Sequence, residues 1–117
     1  MLSLVVDDDP SIRRYITTIL QQEDFQTIEA GDGVQGRQIV QELGEGLDLI
    51  ITDVQMPNRD GLSFAHAVKE SFPEVPIILV SGHGEPTEKF DGFVEKNRST
   101  PVSFVRQFGT PSPAKLH

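Results

Sequence analysis

The amino-acid sequence predicts an α/β fold, a doubly wound parallel sheet of five strands, in a chain of 117 residues. Short apolar runs alternate with longer segments of helical periodicity, an order typical of parallel strands joined by right-handed crossovers. The two central runs, residues 47–53 and 76–80, are apolar at most positions, which indicates strands covered on both faces. Polar residues follow the runs directly, at the sheet edge where open α/β folds place their sites.

The first strand is predicted at residues 2–6, a short run rich in Leu and Val. Asp9 followed by Pro10 is typical of an N-cap with proline in the first helical turn, and this explains Asp9 better than a role as a metal ligand. The helix that follows places Arg13 and Arg14 away from its apolar stripe. That stripe consists of Ile12, Ile16, Ile19 and Leu20.

The second strand, residues 26–29, is short and mixed, as edge strands are. The turn at residues 31–33 caps a second helix, in which Gly36 costs about 1 kcal/mol relative to alanine. Gly44 and Gly46 end that helix. Its predicted apolar positions are Val34, Ile39, Val40 and Leu43.

A third helix is predicted from near Gly61 to Pro73, which cannot continue it. Its predicted buried face consists of Leu62, Ala65, Val68 and Phe72, and His66 is expected to be exposed. The fifth strand is expected at residues 92–95. The ten residues 82–91 before it are too few for a full crossover, so the fourth helix is expected to be short, near residues 86–90, or missing.

Residues 1–108 are predicted to form one domain, with a last helix that begins at Ser99 or Thr100 and a linker or tail at 109–117. The net charge of −8 argues against direct nucleic-acid binding, which needs clustered Lys and Arg. Without cysteines the chain has no disulfides or thiolate metal sites. No apolar run is long enough to cross a membrane, and we expect a cytoplasmic protein.

Four strands deliver polar residues to one edge of the predicted sheet: Asp7 and Asp8, Asp53, Ser81, and Lys96. Carboxylates packed together repel, and they either hold protons or recruit a cation. Ligands that offer only oxygen suit a hard ion, and Mg²⁺ with a phosphate fits best. The pattern indicates a site in which a carboxylate attacks a phosphoryl donor.

Four motifs together resemble the receiver domain of two-component response regulators, over almost the whole chain up to about residue 108. They are Val5-Val6-Asp7-Asp8-Asp9; Asp53-Val54-Gln55-Met56-Pro57 with Asp60-Gly61; Val80-Ser81-Gly82; and Phe93-Val94-Glu95-Lys96. The resemblance implies a flavodoxin-like (CheY-like) fold with strand order 2-1-3-4-5. It also implies a switch that catalyses only its own phosphorylation and dephosphorylation.

By this resemblance Asp53 is the phosphoacceptor for a histidine kinase phosphohistidine. Asp8, Asp53 and the backbone carbonyl of Gln55 would ligate Mg²⁺ (or Mn²⁺), with Asp7 acting through a bound water. Lys96 would pair with the phosphoryl oxygens. The implied partner is a sensor histidine kinase or a histidine phosphotransfer domain, and the oligomeric state is a monomer or a weak homodimer.

The resemblance makes Ser81 and Phe93 the switch residues. Gln55 and His83 border the site in the family and tune hydrolysis; alternatively, both are loop residues in water. Asn97 stands where the family usually has a cis proline, and a cis bond there would cost about 3 kcal/mol. The compact fourth crossover is similar to that of receivers attached to hybrid kinases.

Two other functions stay open at this stage. A degenerate receiver would be a protein-binding module that is never phosphorylated, which Asn97 and the short crossover allow. A Mg²⁺-dependent hydrolase or an FMN-binding flavodoxin relative is disfavoured, because the loop after the first strand lacks the Ser, Thr and Gly residues that an FMN phosphate needs.

Overall fold

The computed structural model describes residues 1–54, 61–81 and 90–95, of which 93–95 are described by their backbone alone. Within these residues the chain forms five strands and three α-helices. The strands are β1 (Leu2–Val6), β2 (Gln26–Ala30), β3 (Leu49–Asp53), β4 (Ile77–Ser81) and β5 (Gly92–Glu95). The helices are α1 (Pro10–Gln22), α2 (Gly33–Leu43) and α3 (Gly61–Ser71), with a 3₁₀ turn at Gly44–Gly46.

The five strands form one parallel sheet in the order β2-β1-β3-β4-β5, which confirms the predicted topology. Every residue of β3 and β4 is buried, as expected for central strands with both faces covered. In β2 only Ala30 is fully buried, which fits its position at the edge of the sheet.

The two faces of the sheet pack against different helices. Alternate residues of each strand point to opposite faces, so each strand contributes to two clusters. The cluster on the α1 face contains Ile16, Ile19 and Leu20 of the helix with Val5, Leu49, Ile51, Ile78 and Val80 of the sheet. The cluster on the α2 and α3 face contains Val40, Phe64, Ala65 and Val68 with Leu4, Val6, Ile50, Ile77 and Leu79.

The predicted caps of α1 and α2 are confirmed. The Asp9 side chain accepts from the amides of Ser11 and Ile12 at the start of α1, and Asp32 accepts from the amide of Gln35 at the start of α2. Gly44 ends α2 with a φ of 48°, a left-handed value that glycine tolerates.

The predicted buried face of α2 is partly wrong, and that of α3 is confirmed but omitted Phe64. Val34 is 50% exposed and Leu43 is 36% exposed, whereas Gly36 is buried. The ring of Phe64, which is fully buried, lies over Gly36, and an added Cβ would be 3.0 Å from its Cε1 atom. The helical cost of Gly36 is therefore offset by the close approach of α2 to α3.

Asp91 joins the starts of β4 and β5 to α3. Its Oδ2 atom accepts a hydrogen bond from the Ile77 amide at 2.7 Å and lies 2.7 Å from Lys69 Nζ. Lys69 also donates to the carbonyl oxygen of Val75 at 2.8 Å. Since the Asp91 side chain is 42% exposed, the ion pair itself contributes little, and the bond to the amide dominates.

Replacing Asp91 by alanine is expected to lower the free energy of unfolding by about 1–2 kcal/mol, because the Ile77 amide loses its acceptor. Asp91→Asn keeps an oxygen acceptor and should lose less than half as much. Urea unfolding of both variants measures the difference. Equal losses of unfolding free energy in the two variants would show that the charge of Asp91, and not its hydrogen bond, stabilises the contact between the sheet and α3.

Several predictions lie outside the described residues and stay predictions. They concern the fourth helix near 86–90, the last helix, the tail at 109–117 and the peptide bond between Lys96 and Asn97.

Candidate functional site

The register of the central strands brings two carboxylates side by side. Val6 of β1 pairs with Thr52 of β3, so the next residues, Asp7 and Asp53, end neighbouring strands on the same face. Both side chains are buried, with Asp7 only 1% and Asp53 only 3% exposed. Asp8 follows in the turn before α1 and is exposed. The sequence prediction that these acidic residues meet at one edge is confirmed.

The three carboxylates form a compact group. Asp7, Asp8 and Asp53 each offer an oxygen, and these oxygens all lie within 4.8 Å of one another. At an effective dielectric constant of about 20, two unit charges about 5 Å apart repel by about 3 kcal/mol. Repulsion of this kind would be relieved by a divalent cation bound between the carboxylates.

The donor set fits Mg²⁺. All three donors are carboxylate oxygens, which suit a hard cation rather than Zn²⁺ or Cu²⁺. Two oxygens bound to one Mg²⁺ ion at about 2.1 Å can be at most about 4.2 Å apart. The carboxylate oxygens of the group lie up to 4.8 Å apart, which is only slightly more, and small side-chain rotations would bring them within that limit.

The backbone after β1 fixes the directions of these side chains. The Asp9 amide donates to Asp7 Oδ1 at 2.9 Å, which turns the chain tightly over the end of the strand. Asp9 itself uses Oδ1 to cap α1. The prediction that Asp9 caps the helix is therefore confirmed.

The end of β3 is held between β4 and the start of α3. The Val54 amide donates to the carbonyl oxygen of Val80 at 3.0 Å, and the Gly61 amide donates to the carbonyl oxygen of Val54 at 2.8 Å. A Cβ atom added to Gly61 would lie 1.8 Å from the Asp53 carbonyl oxygen. The absence of a side chain at Gly61 is therefore a condition for this position of Asp53.

Ser81 ends β4 next to this group and is 5% exposed. Its neighbour Val80 pairs with Asp53, so Ser81 lies one residue beyond the carboxylate along the adjacent strand. In β5 the backbone of Phe93 pairs with Leu79. The Phe93 side chain, together with Gln55, His83 and Lys96, lies outside the described residues.

His66 is exposed on α3, as predicted. Its ring forms a T-shaped pair with the Phe90 ring, with the centroids 5.2 Å apart. This contact joins α3 to the residue that precedes Asp91 and does not involve the acidic group.

Arg13 is a residue near the site that the sequence interpretation missed. Its Nη1 atom donates to the Asp7 carbonyl oxygen at 2.7 Å, and its Nε atom donates to Glu29 Oε1 at 2.9 Å. The side chain is only 20% exposed, whereas Arg14 is exposed. The sequence feature that could have indicated this role is the position of Arg13 in the first turn of α1, from which a long side chain reaches the end of β1.

Comparison with protein families matches residues 3–98 to the model described as the response regulator receiver domain. The chain is 31% identical over 100 residues to sensor kinase CckA of Brucella abortus, covering 80% of this chain and 11% of the kinase. It is 33% identical over 92 residues to the transcriptional regulatory protein AruR of Pseudomonas aeruginosa, covering 76% of this chain and 37% of AruR. It thus spans well under half of either bacterial relative.

Solved structures agree with this comparison. The receiver domain of hybrid histidine kinase CckA superposes with a TM-score of 0.75 at 25% identity, over 94% of this chain and all of that domain (100%). Chemotaxis protein CheY4 of Vibrio cholerae gives a TM-score of 0.76 at 26% identity, over 92% of this chain and 97% of CheY4. Among the described residues, every helix is too short or too polar to span a bilayer.

Proposed function

Because this chain belongs to the response regulator receiver domain family of two-component systems, we propose that Asp53 is its phosphoacceptor. The proposal depends above all on one observation, the buried carboxylate of Asp53 grouped within 4.8 Å of Asp7 and Asp8. A structural strand end needs no such concentration of negative charge. A phosphoryl-transfer site with a divalent cation does need it.

In the proposed reaction a histidine kinase or a histidine phosphotransfer domain donates the phosphoryl group. One carboxylate oxygen of Asp53 forms a bond to phosphorus while the bond between phosphorus and the histidine nitrogen breaks. The leaving imidazole takes up a proton, and Asp53 becomes an aspartyl phosphate. Hydrolysis of this acyl phosphate returns the carboxylate, so the chain catalyses only changes in its own phosphorylation.

Asp8, Asp53 and the Gln55 carbonyl would hold Mg²⁺ directly, and Asp7 would hold it through a water. The ion, when bound, neutralises charge on the transferring phosphoryl group. The Asp9 amide keeps Asp7 Oδ1 in a fixed direction at 2.9 Å. The close packing of Gly61 on Asp53 positions the nucleophile.

Two further groups would respond to the phosphoryl group. Lys96 would pair with its oxygens, and the Ser81 hydroxyl would donate a hydrogen bond to it. Phe93 on β5 would then change rotamer and alter a surface for the next partner. Gln55 and His83 would set the rate of hydrolysis.

The test is incubation of the protein with acetyl phosphate and Mg²⁺, followed by measurement of the intact mass. We expect the wild type to gain one phosphoryl group and Asp53→Asn to gain none. Replacing Mg²⁺ by excess EDTA should prevent the gain in the wild type. Asp32→Asn is the matched control, because Asp32 caps α2 and asparagine caps equally well.

Two results distinguish the alternatives. Modification of Asp53→Asn to the wild-type extent would place the phosphoacceptor elsewhere. A wild type that binds Mg²⁺ yet gains no phosphoryl group would favour the degenerate receiver, a protein-binding module. Transfer from a phosphorylated histidine kinase domain, followed in the same way, then tests the proposed partner.

A further inference from the structure

Asp7 follows the last residue of β1 that is paired with β2, since the register of the two strands ends with Val6 and Ala30. The Asp7 amide donates to the carbonyl oxygen of Ala30 at 3.1 Å, as the last hydrogen bond between β1 and β2. Strand β2 ends at Ala30, so the Asp7 carbonyl lies at the end of the ladder between the two strands. A backbone carbonyl in such a position requires another donor.

Arg13 supplies that donor. Its guanidinium donates from Nη1 to the Asp7 carbonyl oxygen at 2.7 Å and from Nε to Glu29 Oε1 at 2.9 Å. The two bonds fix the planar group between α1, β1 and β2. The side chain is 20% exposed, and a Cβ added to Gly31 would be in ordinary van der Waals contact with Nη1, at 3.8 Å.

The peptide held in this way joins the first two acidic residues of the site. The Asp7 carbonyl belongs to the peptide plane that leads to Asp8, so its direction sets where both carboxylates point. Asp7 Oδ1 and the Asp9 amide close the turn from the other side. A rotation of this peptide would separate oxygens that now lie within 4.8 Å of one another.

We propose that Arg13 is a positioning residue that holds Asp7 and Asp8 in the geometry that binds the divalent cation. This inference rests on the proposed function for its biological meaning, but its test does not depend on phosphorylation. Residues that orient metal ligands without binding the metal themselves typically contribute 10–100-fold to metal affinity. We expect the loss of Arg13 to weaken Mg²⁺ binding by about tenfold.

The direction in which the Mg²⁺ affinity changes distinguishes a positioning role of Arg13 from a purely electrostatic one. A guanidinium beside a cation site repels the cation, so its removal alone would strengthen Mg²⁺ binding. Positioning predicts the opposite, weaker binding. Arg14 provides the matched control, because it carries the same charge on the next residue of α1 but is exposed.

The experiment compares Arg13→Met with Arg14→Met, since methionine keeps the aliphatic stem and removes the charge and all donors. Titration of each full chain with MgCl₂ in a calorimeter gives the dissociation constant. Arg13→Lys should restore the affinity to within about threefold of the wild type, because one ammonium donor reaches the carbonyl without the second bond. Should Arg13→Met fail to fold, Arg13→Gln serves as the neutral variant, with the same expected weakening.

The metal-free protein gives a second measurement. The Asp9 amide signal in a ¹⁵N–¹H spectrum should shift in Arg13→Met and stay in place in Arg14→Met, since that amide reports the turn over Asp7. Unchanged or tighter Mg²⁺ binding in Arg13→Met, or equal weakening in both variants, would overturn the inference. If the wild type itself bound no Mg²⁺, the role of the metal in the proposed function would be refuted. Separately, an Asp9 amide signal that did not shift in Arg13→Met would refute the proposal that Arg13 positions the turn.

Discussion

Gly61→Ala is expected to destabilise the protein by at least about 3 kcal/mol and to abolish Mg²⁺ binding at the acidic group. The added Cβ would lie 1.8 Å from the Asp53 carbonyl oxygen and 2.7 Å from its carbonyl carbon. Both are backbone atoms of a buried central strand, so neither can rotate away as a side chain would. Either α3 moves away from the sheet or the end of β3 moves, and Asp53 moves in both cases.

Helix propensity would favour the alanine by at most about 1 kcal/mol, so the overlap decides the sign. Urea unfolding and calorimetric titration with Mg²⁺ measure the two losses. Gly46→Ala is the matched control, because nothing lies within 4 Å of a Cβ added there. It should change stability by less than about 1 kcal/mol and leave Mg²⁺ binding intact. Equal effects of the two substitutions would refute the role assigned to Gly61.

The parts of the fold that depend on local pattern were predictable. Apolar runs located β1, β3 and β4, shorter mixed runs located β2 and β5, and the Asp9-Pro10 pair located the start of α1. The acidic group was predictable for a different reason. The carboxyl ends of parallel strands share an edge, so Asp7 and Asp53 had to meet once their strands were known to be neighbours.

The rotation of α2 was not predictable in the same way. Val34 and Leu43 are apolar but exposed, and the helix instead turns Gly36 toward the core. The large ring of Phe64 needs a neighbour without a side chain, and glycine meets that need better than any apolar residue. Such a pairing depends on how the surfaces of two helices fit together, and the sequence of either helix alone does not show that fit.

The position of Arg13 was missed for a related reason. Helical periodicity places it off the apolar stripe of α1, next to Arg14, and so predicts that both are solvated. The partner that buries it is a backbone carbonyl, that of Asp7, and a sequence pattern does not show which carbonyls lack a donor. That contact becomes visible only when the end of β1 and the first turn of α1 are seen together in the fold.

Asp8→Asn is expected to weaken Mg²⁺ binding by at least about tenfold while leaving the metal-free fold intact. Asp8 is an exposed member of the acidic group, so the substitution removes one charge and no packing. In the metal-free protein it relieves repulsion, and the variant should be as stable as the wild type or slightly more stable. With Mg²⁺ the order should reverse, because the wild type gains more from the ion.

At a Mg²⁺ concentration 100 times its dissociation constant, the wild type should gain about 2.7 kcal/mol, and a tenfold weaker variant should gain about half of that. Thermal unfolding across a MgCl₂ series gives the stability of each protein as a function of Mg²⁺ concentration, and the two curves should cross. Asp9→Asn is the neighbouring control, since Asp9 caps α1 and asparagine caps equally well. Its curve should run parallel to that of the wild type. If Asp8→Asn also ran parallel, Asp8 would be a turn residue rather than a ligand, and the direct metal contact would pass to Asp7.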